Sequence, residues 1–545
     1  MISLRRLAVT AAGAVCLFLS CAAAAPVVNA PAGKLEGLSE AAATVFKGIP
    51  YAVPPVGPLR WKAPVELPRW TGVKRATDFG VACMQPVSKA VSMYSTDPAP
   101  MSEDCLTLNI WAPAKAKNAP VFFYIHGGAL VGGASSYPPF TGAKLAKRGV
   151  VVVTINYRLG VFGYLAHPGL SAESPLGISG NYGLLDQIAA LKWVKRNIAA
   201  FGGDPKNVTI AGQSAGALSV MFLMTSPASR GLFAKAIAES PYMFSAPELK
   251  QAKYGAPSSE QLGLNLTTAL HVPDIAALRA MEAQKLLDGA VAAAYPIVGT
   301  IDGHILPRQL VDTFERGEQA PVPFLTGFTS GEVRSLPIIL PPPVASATDY
   351  EAVIRDHYQD VADAVLRRYP SSNLRESTLA TVRDAVFGWA AEKMVRQQTT
   401  LGQPAFLYYW DHSYPAADAA GLGAAHSAEI PYAFGSFDRL PRYWPKMPDT
   451  AQEWALSDAV IDYWTSFARS GRPEAANAPA WTAYGSTAAY MEFQDVPKAS
   501  VHLLPGMYEL FDGVFCRRRA SGEQPWNWNE GSAALKLPPK TAVCH

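Results

Sequence analysis

The chain has 545 residues, with 47 Lys+Arg against 44 Asp+Glu and a formal charge of only +3. Hydrophobic residues make up 49% and charged residues 17%, which excludes a disordered chain, and the near-zero charge argues against a nucleic-acid binder with its basic face. At roughly 100–200 residues per ordinary domain, the length means several domains or one large catalytic domain carrying insertions.

The N-terminus reads as a secretory leader. Arg5 and Arg6 form a positive start, Leu7 to Leu19 is apolar and Ala-rich, and Ala23 and Ala25 offer an A-x-A cleavage site before Pro26. A short membrane anchor is the alternative, but Ala is weakly apolar and a span needs about 20 strongly apolar residues. Phe18-Leu19-Ser20-Cys21 loosely resembles a lipobox, so lipidation at Cys21 is a third reading. No later stretch spans a bilayer, so a soluble, exported protein is expected, with residues 1–25 as leader and 26–545 as a single domain. Losing Arg5 and Arg6 brings the charge to +1, which says little about partners. Cys16 and Cys21 leave with the leader. Among Cys83, Cys105, Cys516 and Cys544 the simplest connectivity in an oxidising compartment is Cys83–Cys105 with Cys516–Cys544, one of three pairings. No Cys or His cluster has zinc spacing, and no metal or cofactor is expected.

Short, continuously apolar runs then alternate with helical patterns. Val121 to Ile125, Val150 to Ile155, Asn207 to Ala211, Val322 to Thr326 and Phe406 to Trp410 read as strands buried on both faces. Asp186 to Ile198 sets Ile188, Leu191, Val194 and Ile198 on one helical face. Thr348-Asp349-Tyr350-Glu351 has the form of a capping box. It opens a helix striped by Ile354, Tyr358, Val361 and Val365 and closed by Pro370. One large α/β domain with inserted helices fits this order.

The chemistry begins at Gly212-Gln213-Ser214-Ala215-Gly216. This is G-x-S-x-G after a strand and before the helical run Ala217 to Met224, the context of a nucleophile elbow. Taken alone, it reads equally as a Gly-rich turn with a solvated serine. His126-Gly127-Gly128-Ala129 follows an earlier strand and has the form of a loop that supplies N–H donors to an oxyanion. The two together, in this order, favour nucleophilic catalysis. A base and an orienting acid must follow in the chain. His412, His426 and His502 occupy sensible loops, and the small-residue loop around His426 ranks it first. Glu332 follows the strand near Phe324, while spacing leaves Asp302 and Asp411 open.

These landmarks resemble the type-B carboxylesterases, the carboxylesterase/cholinesterase family of α/β-hydrolases, from about Gly33 to Tyr484. The resemblance rests on Val45-Phe46-Lys47-Gly48-Ile49-Pro50-Tyr51-Ala52, on Ser102-Glu103-Asp104-Cys105-Leu106, on Gly180-Asn181-Tyr182-Gly183 through Gly202-Gly203-Asp204-Pro205, and on Trp464 to Arg469. It implies an α/β-hydrolase fold: a central, mostly parallel sheet flanked by helices with large helical insertions. It also implies the acid at Glu332, the base at His426 in a G-x-x-H-x-x-E pattern, and oxyanion donors at Gly128, Ala129 and Ala215. Ser240 matches a serine near the catalytic groups of relatives, and Gly127 belongs with it as support. The family's bridge maps to Cys83–Cys105, and its ion pairs map to Arg60 with Glu103 and Arg158 with Asp204.

The departures are informative. Around Glu332 the family's Asn, Asp and final Gly are Thr329, Gly331 and Val333, so a different local turn is expected. Ser240 is followed by Pro241-Tyr242, which should reshape the acyl pocket. The loop from Cys83 to Cys105 holds no tryptophan, which in cholinesterases is the cation–π platform for choline. The expected partner is therefore a small-molecule ester other than a choline ester. Two rivals stand beside the esterase: a hydrolase of another acyl bond (carbamate, amide, thioester), and a non-catalytic relative used for binding. Apolar helices in 243–300 and the segment 333–347 suggest a lid over a hydrophobic gorge.

Overall fold

The computed structural model describes residues 25–40, 43–87, 90–544. The expected leader, with Cys16 and Cys21, lies outside the described residues. The chain builds one sheet from β1 (Leu38–Glu40), β2 (Ala43–Pro50), β3 (Thr107–Pro113), β4 (Ala119–Ile125), β5 (Val151–Ile155), β6 (Gly203–Gln213), β7 (Lys235–Glu239), β8 (Phe324–Thr329), β9 (Ala405–Trp410), β10 (Ala489–Phe493) and β11 (Pro497–Val501). The spatial order is β11-β10-β9-β8-β7-β6-β4-β5-β3-β2-β1. All neighbours from β5 across to β10 pair parallel, and the pairings outside that stretch are antiparallel. This is the α/β-hydrolase arrangement that the resemblance implied.

The apolar runs form strands because both faces of the sheet are covered. On β4, Val121, Phe123 and Ile125 enter one core while Phe122 and Tyr124 enter the opposite one. On β5, Val151, Val153 and Ile155 divide from Val152 in the same way. Helix α1 (Tyr182–Asn197) covers the first face, as its apolar stripe predicts. So does α2 (Ala215–Thr225), which is buried on every side. On the second face lie α3 (Ile430–Phe434) and α4 (Ala451–Ser470), through residues such as Leu456, Val460 and Trp464.

Parallel register brings the chemistry to one edge. Gly212 pairs with Ile125 and Gln213 with Glu239. The segments after β4, β6, β7 and β8 therefore emerge side by side at the carboxyl ends of their strands, where ligands bind in open α/β sheets.

Several expectations need correction. Arg158 does not pair with Asp204. Its guanidinium grips buried Asp186 of α1 at 2.7 Å through two nitrogens, while Asp204 Oδ1 accepts from the backbone of Lys206 in its own turn. Arg158 takes Asp186 because that carboxylate is fully enclosed beside it, whereas Asp204 is half-buried at the start of β6. Arg60 does pair with Glu103 as expected. The capping box begins two residues early: Ser346, not Thr348, accepts from Asp349 N at 3.1 Å and donates to the Asp349 carboxylate. The helix it opens ends at Tyr358, and Gln359–Val361 forms a tight turn before a second helix, Ala362–Arg368. Gln359 has φ 51° there, which breaks the stripe read from the sequence.

Both expected disulfides are present, Cys83–Cys105 and Cys516–Cys544. They fit an oxidising compartment. No helix among the described residues is long and apolar enough to cross a membrane.

Candidate active site

Ser214 sits on the turn between β6 and α2 with φ 59° and ψ −124°, a conformation costly for a non-glycine residue. The turn is tight enough to dictate its neighbours. A Cβ on Gly216 would lie 2.1 Å from the carbonyl oxygen of Ile125, and one on Gly212 would lie 2.5 Å from Gly216. The turn lifts Ser214 into a cleft of about 400 Å³ and sets it at the N-terminus of α2, where backbone N–H groups are unpaired and the helix dipole is positive.

The loop after β4 forms the facing wall. Gly127 packs directly on the Ser214 turn, where an added Cβ would lie 2.7 Å from the Gln213 carbonyl and 3.1 Å from Ser214 Cβ. Gly128 and Ala129 have φ 107° and 56°, which turns successive peptide planes toward the cleft. Among the described residues, no acceptor meets the N–H groups of Gly128, Ala129 or Ala215. His126 stacks on Tyr157 at 4.6 Å, and its Nδ1 donates to the Gly127 carbonyl. Burial pushes this imidazole down to about 4, so it is neutral at physiological pH.

Glu332 begins a short helical turn after β8 and is fully buried. One carboxylate oxygen accepts from Thr329 N at 2.9 Å and the other makes a short contact with Nδ1 of His426. The two loops are also stitched by backbone, since Gly331 N donates to Ala424 O at 2.9 Å. With Nδ1–H engaged by Glu332, Nε2 of His426 is left as the acceptor. It faces the Gln213 side-chain amide at 3.2 Å. Ser214, Gln213 and His426 line the same cleft.

The other candidates lie elsewhere. His412 is held between Asp495 at 3.1 Å and Glu453 at 3.0 Å, away from the cleft. His502 is exposed, and so is Asp411. Asp302 caps its own turn through the N–H groups of His304, Ile305 and Leu306. Ser240 lies beneath the site and donates to Glu429 at 3.5 Å.

Sequence reasoning missed four groups. Gln213 was only the variable position of G-x-S-x-G. Glu429 was only the trailing glutamate of the His426 pattern, yet it is fully buried. Its Oε1 accepts from Ser240 and from Tyr408 at 3.4 Å, and its Oε2 has no partner among the described residues. Burial first, and then the charge of Glu332, push Glu429 up to about 7. Glu239, bonded to Trp464 Nε1 at 2.9 Å, is also raised, first by burial and then by Glu429. Tyr94, from the Cys83–Cys105 loop, carried no signal at all.

The cleft walls also differ from expectation. They come from 85–87 and 92–98, from Tyr137 to Phe140 and from 427–444, with Leu336 as the contribution of 333–347. The helices of 243–300 do not reach the cleft. Leu266, Leu278, Leu286 and Leu287 pack instead on Trp61, Val161 and Phe162 in a separate core. Tyr242 stands behind the site, with its ring 6.1 Å from that of Phe387, which in turn lies 5.5 Å from the His426 ring. An outer hollow of about 710 Å³ adjoins the cleft and shares Ser95, Thr96, Pro98, Tyr137 and Pro441 with it.

The model of the Carboxylesterase family matches residues 24–508. A fumonisin B1 esterase of Sphingopyxis macrogoltabida is 34% identical over 486 residues, 86% of this chain and 86% of that protein. A para-nitrobenzyl esterase of Bacillus subtilis (strain 168) is 36% identical over 463 residues, 84% of this chain and 92% of that protein. Among solved structures, a PNB esterase superposes with a TM-score of 0.76 at 32% identity, covering 91% of this chain and 99% of the other. With a family model over most of its length and esterases matched along nearly their whole chains, this protein belongs to the carboxylesterase family and is a carboxylic-ester hydrolase.

Proposed function

We propose that the protein is an exported serine carboxylesterase that works through an acyl-enzyme on Ser214. His426 Nε2 takes the Ser214 proton as Oγ attacks the ester carbonyl. Glu332 fixes the Nδ1–H tautomer and stabilises the imidazolium that forms. The N–H groups of Gly128, Ala129 and Ala215 receive the oxyanion, each worth roughly 10²–10³ in rate. The imidazolium then protonates the departing alkoxide, and the alcohol leaves. Water, deprotonated by the same histidine, attacks the acyl carbonyl, releases the acid and restores Ser214.

The observation that carries this reading is the buried Glu332–His426 contact beside a serine held at positive φ in one cleft. In the resting site Nε2 meets the Gln213 amide. Catalytic hydrogen bonds are often long or misaligned until substrate binds, and Ser214 lines the same cleft as this imidazole. The small apolar cleft, continuous with a larger hollow, suits an ester with one compact and one extended part. Residues 26–545 are proposed to act as one catalytic domain, released from the leader near Ala25.

The test is a p-nitrophenyl acetate assay on wild type and Ser214→Ala. Wild type should give a burst of nitrophenol followed by turnover, and the variant neither, at unchanged thermal midpoint. Turnover near the wild-type rate in Ser214→Ala would remove the assignment.

A further inference from the structure

We infer that Tyr94 is a positioning residue, locking the Glu332 and His426 loops together from the Cys83–Cys105 loop. The inference rests on the triad reading above.

Tyr94 lies near the middle of a loop closed by a disulfide between residues 22 apart in sequence. Its ring lines the cleft and stands edge-on to Trp444 at 6.1 Å. The hydroxyl reaches past the cleft wall and makes two hydrogen bonds. It donates to the His426 carbonyl at 2.6 Å, and it lies 2.7 Å from Ser335 Oγ. Because the single phenolic proton goes to the carbonyl, Ser335 is the donor in the second bond. Burial pushes the Tyr94 phenol well up, so it remains a donor throughout the working pH range.

The partners are what give the contact meaning. Ser335 closes the turn that Glu332 opens. The His426 carbonyl belongs to the base itself and precedes Ser427, which has φ 70°. One hydroxyl thus ties the acid's turn to the base's backbone, in addition to the Gly331–Ala424 bond that already joins the two loops. Catalytic groups must be held within about 0.5 Å of productive geometry by surrounding hydrogen bonds, and a misplacement of about 1 Å can cost roughly 10² in rate. Tyr94 also presents an aromatic face to the substrate, so the hydroxyl and the ring are separable in function.

Tyr94→Phe removes the hydroxyl and keeps the ring. One lost neutral hydrogen bond at a positioned base should lower kcat about 5- to 20-fold. KM for p-nitrophenyl acetate should stay within about twofold and the thermal midpoint within about 2 °C. Inactivation by phenylmethanesulfonyl fluoride, which reads Ser214 reactivity without turnover, should slow by the same factor as kcat. Tyr94→Ala should add a rise in KM, because the wall is lost. An unchanged kcat and inactivation rate in Tyr94→Phe, or a change in KM alone, would overturn the inference. A wild-type protein that fails to turn over the ester would instead defeat the triad reading.

Discussion

Replacing Glu429 by Gln should stabilise the protein in alkaline solution while leaving it unchanged in acid. Glu429 is enclosed by Ser240, Tyr408, Glu239 and Glu332, and the neighbouring His426 and the Tyr408 hydrogen bond offset its charge only in part. Its folded-state value, about 7, lies above the ordinary 4.5. The folded state therefore holds a proton that the unfolded chain has already lost between those values. Stability contributed by this group is full below about pH 4.5, falls as pH rises, and levels off above about 7. Each pH unit is worth about 1.4 kcal/mol, so the penalty at pH 8 is up to about 3 kcal/mol. Glutamine keeps acceptors for Ser240 and Tyr408 and cannot ionise. For a chain of this size, one kcal/mol moves the thermal midpoint by about 1 °C. Calorimetric scans at pH 5 and pH 8 should show the Gln variant about 3 °C above wild type at pH 8 and within 1 °C of it at pH 5. A loss of stability at both pH values, or a difference independent of pH, would refute the reasoning.

The remaining predictions concern the ion pair, the base and the elbow. Arg158→Met leaves Asp186 buried and uncompensated and should cost about 3–5 kcal/mol, whereas Asp204→Ala should stay within about 0.5 kcal/mol in the same urea melts. His426→Ala and Glu332→Gln should each lower kcat by about 10⁴-fold, while His412→Ala, which loses hydrogen bonds to Glu453 and Asp495 and ring contacts to Tyr432 and Trp410 away from the cleft, should retain ester turnover. Gly216→Ala forces a Cβ to within 2.1 Å of the Ile125 carbonyl and should abolish activity even where folded protein is recovered, measured by circular dichroism alongside nitrophenol release.

The central strands were legible because burial on both faces writes continuous apolar runs. Val121 to Ile125 and Val150 to Ile155 needed no other signal. The elbow was legible because Gly212 and Gly216 are imposed by close backbone approach. The contact between Glu332 and His426 needed the family resemblance to be anticipated, since spacing left Asp302, Asp411 and His412 open. What stayed hidden depends on contacts between distant segments. The preference of Arg158 for Asp186 follows from how α1 docks on the first face of the sheet. Tyr94 reaches His426 across 332 positions of sequence. The helix break at Gln359 turns on one backbone angle, which side-chain periodicity does not encode. The cleft walls likewise arise from segments at 85–87, 92–98 and 427–444, where no apolar helix drew attention.

The claim at the centre is that the acyl group passes through Ser214. Rapid acid quenching of the enzyme during turnover of a slowly deacylated p-nitrophenyl ester, followed by peptide mass mapping, tests it most directly. The account predicts a stoichiometric acyl adduct on Ser214, absent from Ser214→Ala and reduced in Glu332→Gln. Full turnover with no adduct on Ser214, or an adduct on another residue that forms at the turnover rate, would contradict it.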